Sequence, residues 1–132
     1  QLETVLVNLA TNARDAMGGI GVLTLSAVAE TVGDRLTHPA SLSPGDYLRL
    51  AVTDTGAGMP PEVLARAAEP FFTTKAPGQG TGLGLAMARG FAQQSGGGMH
   101  IVSAPGEGTT VSLWLPVAEV PAAAARDAPP PR

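Results

Sequence analysis

Residues 78–86 read GQGTGLGLA, a stretch in which glycine fills four alternate positions before an apolar run begins. Glycine-rich segments that open a helix often bind phosphate, because the N–H groups of the first helical turn attract anions. The spacing excludes two familiar phosphate loops. A P-loop needs a lysine after its last glycine, and the dinucleotide fingerprint G-x-G-x-x-G fails because Leu85, Ala86 and Met87 follow Gly84. The stretch therefore indicates a phosphate site of a third kind.

Composition limits the class of protein to which the chain can belong. The chain has 132 residues, 44% of them hydrophobic, which is enough for one compact domain with a core. It contains no cysteine, so disulfides and cysteine-based zinc sites are excluded. No apolar run reaches 18 residues, and the formal charge is −3. We therefore expect a soluble domain that contacts neither a membrane nor nucleic acid.

Hydrophobic periodicity predicts an alternation of helices and strands. The predicted helices are 2–17, 61–68 and 81–95, and the predicted strands are 21–30, 47–54, 99–104 and 109–116. The last two strands are joined by PGEG, whose composition predicts a hairpin turn. The pattern predicts an α+β fold, a two-layer α/β sandwich whose mixed sheet is covered by helices on one face. Residues 1–116 form this domain, and the Ala- and Pro-rich residues 117–132 read as a linker or disordered tail.

The first helix carries a polar face opposite its apolar stripe. Asn8, Asn12 and Asp15 are spaced i, i+4 and i+7, so they share one side of the helix. Such a face is often no more than a solvated surface. Asparagine is a mediocre helix former, however, and its amide oxygen suits Mg²⁺ beside phosphate oxygens.

Two further segments have the composition of a ligand site. Asp54 ends a predicted strand in DTGAGMP (54–60), where it either caps the turn or accepts a hydrogen bond from an amino group in an apolar pocket. In EPFFTTK (69–75), paired phenylalanines precede Lys75, the sole lysine, and then the glycine run. A loop of this kind could close over a charged ligand.

Taken together, these segments resemble the ATP-site motifs of the GHKL superfamily, and most of all the catalytic and ATP-binding domain of sensor histidine kinases. NLATNARDAM (8–17) looks like the N box, DTGAGMP the first glycine box, EPFFTTK the F box and GQGTGLGLA the second glycine box. PGEGTTVSLWLP (105–116) is similar to the closing hairpin. The resemblance covers residues 1–116 and implies a Bergerat-type ATP-binding fold.

The resemblance also implies roles for individual residues. ATP or ADP would bind with Mg²⁺, with Asn12 as the metal ligand and Asp54 accepting from the adenine amino group. Asn8 and Lys75 are the expected catalytic residues and also contact the phosphates. Thr109 resembles the threonine that backs the aspartate, often through water. The other residues expected to bind nucleotide are Asp15, Gly56, Gly58, Met59, Phe71, Gly80, Thr81, Gly82, Leu83, Gly84 and Leu85.

One position favours phosphoryl transfer over hydrolysis. Hydrolysing members of the superfamily carry a glutamate where this chain has Asn8, and an amide cannot deprotonate water at neutral pH. We expect a protein-histidine kinase domain that donates the γ-phosphate of ATP to a histidine. The alternatives are an ATP-hydrolysing conformational switch of the same fold and a degenerate nucleotide-binding regulatory module.

The phosphoacceptor should lie outside this chain. His38 reads as a loop residue and His100 as a strand residue, and neither has the helical His-acidic context of a phosphoacceptor. We expect an upstream dimerisation and histidine phosphotransfer domain in the same protein, and a response-regulator receiver domain as a further partner, either C-terminal in the same chain or separate. The fragment itself is expected to be monomeric and cytoplasmic, whether or not the full-length protein is anchored in a membrane.

Overall fold

The computed structural model describes residues 2–33, 38–69 and 84–117. Its elements in chain order are α1 (Leu2–Ala16), β1 (Leu23–Val32), β2 (Gly45–Asp54), α2 (Pro61–Leu64), α3 (Gly84–Gln94), β3 (Gly98–Ser103) and β4 (Thr109–Pro116). Every predicted helix and strand is present, although several bounds differ. β1 ends two residues later and β2 begins two residues earlier than predicted, so the connection between them is shorter. Helix α2 ends at Leu64 instead of continuing to residue 68. Residues 81–83 of the third predicted helix lie outside the described residues.

The four strands form one sheet in the order β1-β2-β4-β3, and each neighbouring pair is antiparallel. The α+β class is confirmed, but the expectation of a mixed sheet is wrong for the described strands. β3 does run in the same direction as β2, and helices α2 and α3 lie between these two strands in the sequence. The hairpin then folds β4 into the gap between them, so the two like-directed strands are never neighbours.

Helices α1 and α3 pack together on one face of the sheet, which gives the predicted two-layer arrangement. The apolar stripe of α1 buries Val5, Leu9 and Ala13, at successive i+4 positions. The core between the layers consists of Val5, Leu9, Val52, Ala88, Ala92, Val111 and Leu113. Ala88 and Ala92 are fully buried on α3. Their small side chains let this helix lie close to the sheet and to α1.

The other face of the sheet is partly covered by the segment that precedes β2. Val32, Leu42, Tyr47 and Trp114 form a second buried cluster there, with Ala40 packed against it. The hydroxyl of Tyr47 donates to the backbone oxygen of Ser43 at 2.7 Å. Because this segment folds back over the strands, the sheet has protein on both faces at the Trp114 end.

Within the described ranges, no helix combines the length and the apolar character needed to cross a membrane. Strand β4 ends at Pro116, and the domain boundary predicted after this residue stays a prediction. Val117 is exposed and follows it without regular structure. Residues 118–132, which hold nearly all of the predicted linker or tail, lie outside the described residues.

Candidate functional site

Among the described residues, Asp54 is the one charged residue that is buried, with 7% of its surface exposed. It ends β2, and its Oδ1 accepts a hydrogen bond of 2.8 Å from the Gly56 N–H. An aspartate often bonds its own backbone two residues further on in this way, which starts a turn. A carboxylate can accept about four hydrogen bonds, so Asp54 has capacity for a ligand donor as well.

The glycines around Asp54 allow the backbone to close tightly at the end of the sheet. Gly58 has a φ of +74°, and a Cβ placed there would overlap the carbonyl group of Ala104. A Cβ on Gly56 would lie 2.6 Å from the carbonyl oxygen of Ala16 at the end of α1. These two glycines therefore have a packing role that we did not predict. The approach of a flat base to their backbone stays a prediction.

Backbone hydrogen bonds join the loop after β2 to both of its neighbours. The N–H of Ala57 donates to the oxygen of Ala16 at 3.2 Å, and the oxygen of Ala57 accepts from Gly106 N–H at 2.6 Å. The loop is thus bound to α1 on one side and to the β3–β4 hairpin on the other. These contacts hold the position of Asp54 relative to the helix that carries Asn12.

Three polar side chains form a row across neighbouring strands on the helix-facing side of the sheet. Thr109 pairs directly with Asp54 on β2 and with Ser103 on β3. The two hydroxyl oxygens of Ser103 and Thr109 are 2.8 Å apart. Thr109 therefore lies directly across from Asp54, and its hydroxyl group is hydrogen-bonded to Ser103.

Sequence reasoning missed Ser103. The signal was present in the alternation of β3, which places Ser103 on the same face as Met99 and Ile101. Ser103 Oγ also accepts from the N–H of Met59 at 2.8 Å and contacts the oxygen of Gly108 at 3.0 Å. It therefore joins the loop after β2 to the hairpin.

A second cluster of predicted residues lies where α1 meets α3. Asn8 and Asn12 are half-buried on α1. A Cβ on Gly84, the first described residue of α3, would lie 2.8 Å from Nδ2 of Asn12. The amide of Asn12 thus faces the beginning of α3, although the two residues are far apart in the sequence. Asp15 is exposed and pairs with the guanidinium of Arg14 at 3.6 Å.

The donor chemistry of this cluster fits a divalent cation that is bound chiefly by phosphate. The described residues contain no group of three or more His, Cys, Asp or Glu side chains that could hold a metal ion. Mg²⁺ usually takes few protein ligands and completes its shell with phosphate oxygens and water. A single amide oxygen from Asn12 beside the start of a helix therefore suits Mg²⁺ carried by a polyphosphate.

The remaining predicted residues divide into two groups. Met59 is half-buried next to Ser103, and Leu85 packs against the core between the layers. The expected roles of Phe71, Lys75, Gly80, Thr81, Gly82 and Leu83 concern residues outside those described. The same holds for the predicted closing loop, residues 70–80.

Known proteins resemble the chain over almost all of the described domain. Over 117 residues it is 47% identical to the sensor kinase CckA of Brucella abortus, covering 88% of this chain and 12% of the relative. It is 38% identical to the sensor histidine kinase ZraS of Escherichia coli K12 over 117 residues, which are 89% of this chain and 22% of that protein. The chain thus spans a small part of these relatives' length.

Solved structures agree with the fold. The crystal structure of full-length ShkA in complex with AMPPNP matches with a TM-score of 0.67 and 29% identity, covering 90% of this chain and 22% of that one. The mycobacterial sensor histidine kinase MprB matches in fold with a TM-score of 0.59 at 24% identity, covering 86% of this chain and 70% of that one. Residues 1–119 match the family described as "Histidine kinase-, DNA gyrase B-, and HSP90-like ATPase". The chain, with its buried Asp54 at a strand end and its Asn12 against the start of α3, belongs to this family.

Proposed function

We propose that the chain is the ATP-binding catalytic domain of a sensor histidine kinase, which binds ATP with Mg²⁺ and donates the γ-phosphate to a histidine on a separate domain. The observation that carries the proposal is the placement of Asp54 and Asn12 on one scaffold. Ala16 of α1 holds the loop after Asp54, and Asn12 lies one turn earlier, about 6 Å along the helix, facing Gly84. One nucleotide would reach both residues, with its base at Asp54 and its phosphates at Asn12.

The relatives support the reaction class. CckA is named a sensor kinase and ZraS a sensor histidine kinase. ShkA, 29% identical to this chain, was solved in complex with AMPPNP. Asn8 is a further argument, because an amide in this position cannot act as the general base that hydrolysis needs.

Some of the proposed site residues recognise the base, and others position the phosphates. The carboxylate of Asp54 accepts from the adenine amino group. Asn12 would hold Mg²⁺, which would neutralise charge on the phosphates, and Asn8 would contact the phosphate side of the same face. Lys75 and the backbone at the start of α3 add positive potential near the outer phosphates. Phosphoryl transfer requires mainly such positioning and charge neutralisation.

The partners follow from the chemistry. The phosphoryl acceptor is a histidine on an upstream dimerisation and phosphotransfer domain of the same protein, and a response-regulator receiver domain takes the phosphoryl group next. We expect this chain by itself to be a monomer in the cytoplasm that contacts neither membrane nor nucleic acid. In the structure, Glu30 bonds His38 at 2.9 Å and His100 lies within β3, so both histidines are parts of the fold rather than helical acceptors.

The test is an assay with γ-labelled ATP on the chain alone and on the chain mixed with its dimerisation and phosphoacceptor domain. We expect slow phosphate release by the chain alone and rapid labelling of the added domain. General-base assistance contributes about 10²–10⁴-fold in rate, so its absence should be plain. Asp54→Asn, which should bind nucleotide poorly, serves as the control for site-dependent labelling.

Two outcomes would favour the alternatives. Rapid phosphate release by the chain alone, at a rate that Asn8→Ala leaves unchanged, would establish the ATP-hydrolysing switch and a base other than those named here. ATP binding without labelling of any acceptor domain would establish the regulatory module.

A further inference from the structure

The side chain of Ser103 has three polar neighbours within hydrogen-bond distance. Its Oγ lies 2.8 Å from the N–H of Met59, 3.0 Å from the oxygen of Gly108 and 2.8 Å from Oγ1 of Thr109. The N–H of Met59 can only donate and the carbonyl oxygen of Gly108 can only accept. These two neighbours therefore fix which of the two hydroxyl groups, Ser103 or Thr109, is the donor and which is the acceptor.

Only one placement of the hydroxyl hydrogens makes all three contacts hydrogen bonds. Ser103 has a single hydrogen, which it must donate to Gly108, because a carbonyl oxygen cannot donate. Thr109 must then donate its own hydrogen to Ser103. Towards any other group, Thr109 Oγ1 can then only accept a hydrogen bond.

This arrangement decides which hydrogen-bonding groups Thr109 and Asp54 can offer to a ligand. Thr109 lies directly opposite Asp54 in the β2–β4 ladder, so their Cβ atoms are about 5 Å apart on one face. The carboxylate of Asp54 accepts and does not donate. With the Thr109 hydrogen held by Ser103, both side chains offer acceptors to a ligand.

We propose that Ser103 is a specificity-determining positioning residue: it holds the Thr109 hydroxyl hydrogen away from the nucleotide, so that Asp54 and Thr109 together select a purine with a 6-amino group over one with a 6-oxo group. The proposal rests on the proposed function, because it takes the base to lie at Asp54. Ser103 acts through Thr109 and need not touch the base.

Removing the Ser103 hydroxyl releases the hydrogen of Thr109. That hydrogen can then turn towards a 6-oxo group, which gains a donor, or towards the Asp54 carboxylate, which becomes a weaker acceptor for an amino group. Both rearrangements reduce the preference for adenine. The gain or loss of one hydrogen bond of this kind changes affinity about three- to tenfold.

The experiment measures the affinities of ATP and inosine triphosphate for the 132-residue chain by calorimetry. We expect Ser103→Ala to lower the ratio of the two affinities about three- to tenfold relative to the wild-type chain. Ser103→Thr keeps a hydroxyl at this position and should restore the ratio. Ser112→Ala, a change on β4 on the opposite face from Val111 and Leu113, is the matched control and should leave the ratio unchanged.

A double-mutant cycle separates this role from a purely structural one. Ser103→Ala also removes the acceptor of the Met59 N–H, which could weaken both nucleotides together by disturbing the loop after β2. In a Thr109→Val background there is no hydroxyl to turn. The double variant should then have the same ratio of ATP to inosine triphosphate affinity as Thr109→Val alone, even if both affinities change.

The outcomes are distinguishable from failure of the proposed function. If ATP does not bind the wild-type chain, the proposed function is wrong. If ATP binds and Ser103→Ala leaves the ratio unchanged, or changes it equally with Val at position 109, the inference about Ser103 is overturned. Should Ser103→Ala fail to fold, Ser103→Cys replaces it, since a thiol keeps the shape and bonds weakly; its ratio must fall in the same direction.

Discussion

Asp54 combines two features that rarely occur together, a charged side chain and a position at which only 7% of its surface is exposed. Asp54→Asn replaces a charged acceptor with an amide that must also turn one of its N–H groups away from the ligand. A hydrogen bond to a charged group contributes about 1.5–3 kcal/mol, so ATP should bind roughly ten- to a hundredfold more weakly. Calorimetric titration of ATP into both chains measures the difference.

The control for this change is Asp46→Asn, which alters an exposed aspartate near the other end of the same strand. Asp46 accepts a hydrogen bond from Thr31 and lies far from the site. Equal ATP affinity in Asp54→Asn and Asp46→Asn would rule out Asp54 as the residue that recognises the base.

Gly58 shows how a residue without a side chain can be required by its neighbours. Gly58 and Gly106 both have positive φ angles, +74° and +79°. Gly58→Ala would bring a Cβ into the Ala104 carbonyl group, whereas Gly106→Ala meets nothing within 4 Å. Both changes force alanine into the left-handed region, at about 1–2 kcal/mol.

The two alanine variants should therefore differ in stability although their backbone strain is similar. We expect Gly58→Ala to lower the free energy of unfolding by clearly more than the about 1–2 kcal/mol of Gly106→Ala, because backbone atoms must also move apart. Urea denaturation of both variants measures this. Equal losses would mean that the loop after β2 can move away from the hairpin at little cost.

At the scale of an element, Glu30 attaches residues 38–40, which precede β2, to the sheet. Its Oε1 accepts from the indole N–H of Trp114 at 3.1 Å, and its Oε2 from His38 Nε2 at 2.9 Å. His38 Nδ1 in turn accepts from the N–H of Ala40 at 3.1 Å, which places the ring hydrogen on Nε2. The His38 ring meets Trp114 edge-on, with 4.7 Å between centroids.

These contacts make the stability of the chain depend on pH. The Trp114 indole N–H, and with it His38 and Arg49, lower the pKa of Glu30 from its ordinary 4.5, and the desolvation that opposes this is weaker. The unfolded chain therefore takes up the proton at a higher pH than the folded chain. The stabilisation is complete above about pH 4.5 and is lost as the pH falls through the folded pKa.

Glu30→Gln should remove this part of the pH dependence. Between pH 6 and pH 3, we expect the free energy of unfolding to fall less steeply in Glu30→Gln than in the wild-type chain, because glutamine has no proton to take up. Urea titrations followed by the fluorescence of Trp114, the sole tryptophan, measure the two slopes. Glu107→Gln, on the exposed hairpin turn, is the control, and a slope equal to that of Glu30→Gln would contradict the assignment.

At the scale of the whole molecule, stability comes from the core between the helices and the sheet. Leu113 is fully buried in that core, while Leu25 on the edge strand β1 is 61% exposed. Leu113→Ala should lower the free energy of unfolding by about 2–5 kcal/mol through lost burial and the cavity it leaves. Leu25→Ala should change it by about 0.5 kcal/mol or less.

Urea denaturation of the two leucine variants tests whether the two layers share one core. Leu113 belongs to the cluster that joins α1, β2, α3 and β4, so its loss should shift a single cooperative transition. A separate early transition in Leu113→Ala would show instead that the helices and the sheet unfold independently.

Thr109 became a candidate for the site only through the resemblance to the GHKL superfamily, whereas the types of the elements and the candidates Asp54 and Asn12 came from the sequence by itself. Those inferences depended on local information: the 3.6-residue period of α1, the alternation of β2 and β4, and short motifs of fixed spacing. The bounds were less accurate, because propensity changes little over one or two residues at the end of an element. Even the antiparallel hairpin could be foreseen, since PGEG links its two strands directly.

Only the tertiary structure decided which strands are neighbours and which side chains meet. Among the described strands, the insertion of β4 between β2 and β3 leaves no parallel pair, and it brings Ser103 beside Thr109 and Thr109 opposite Asp54. Glu30 and Trp114 are 84 positions apart, and no local pattern links them. Such contacts depend on strand order and register, and a slip of one residue would turn each side chain to the other face of the sheet. The sequence encodes that register only through the packing of the whole core, so it becomes visible only when the chain is folded.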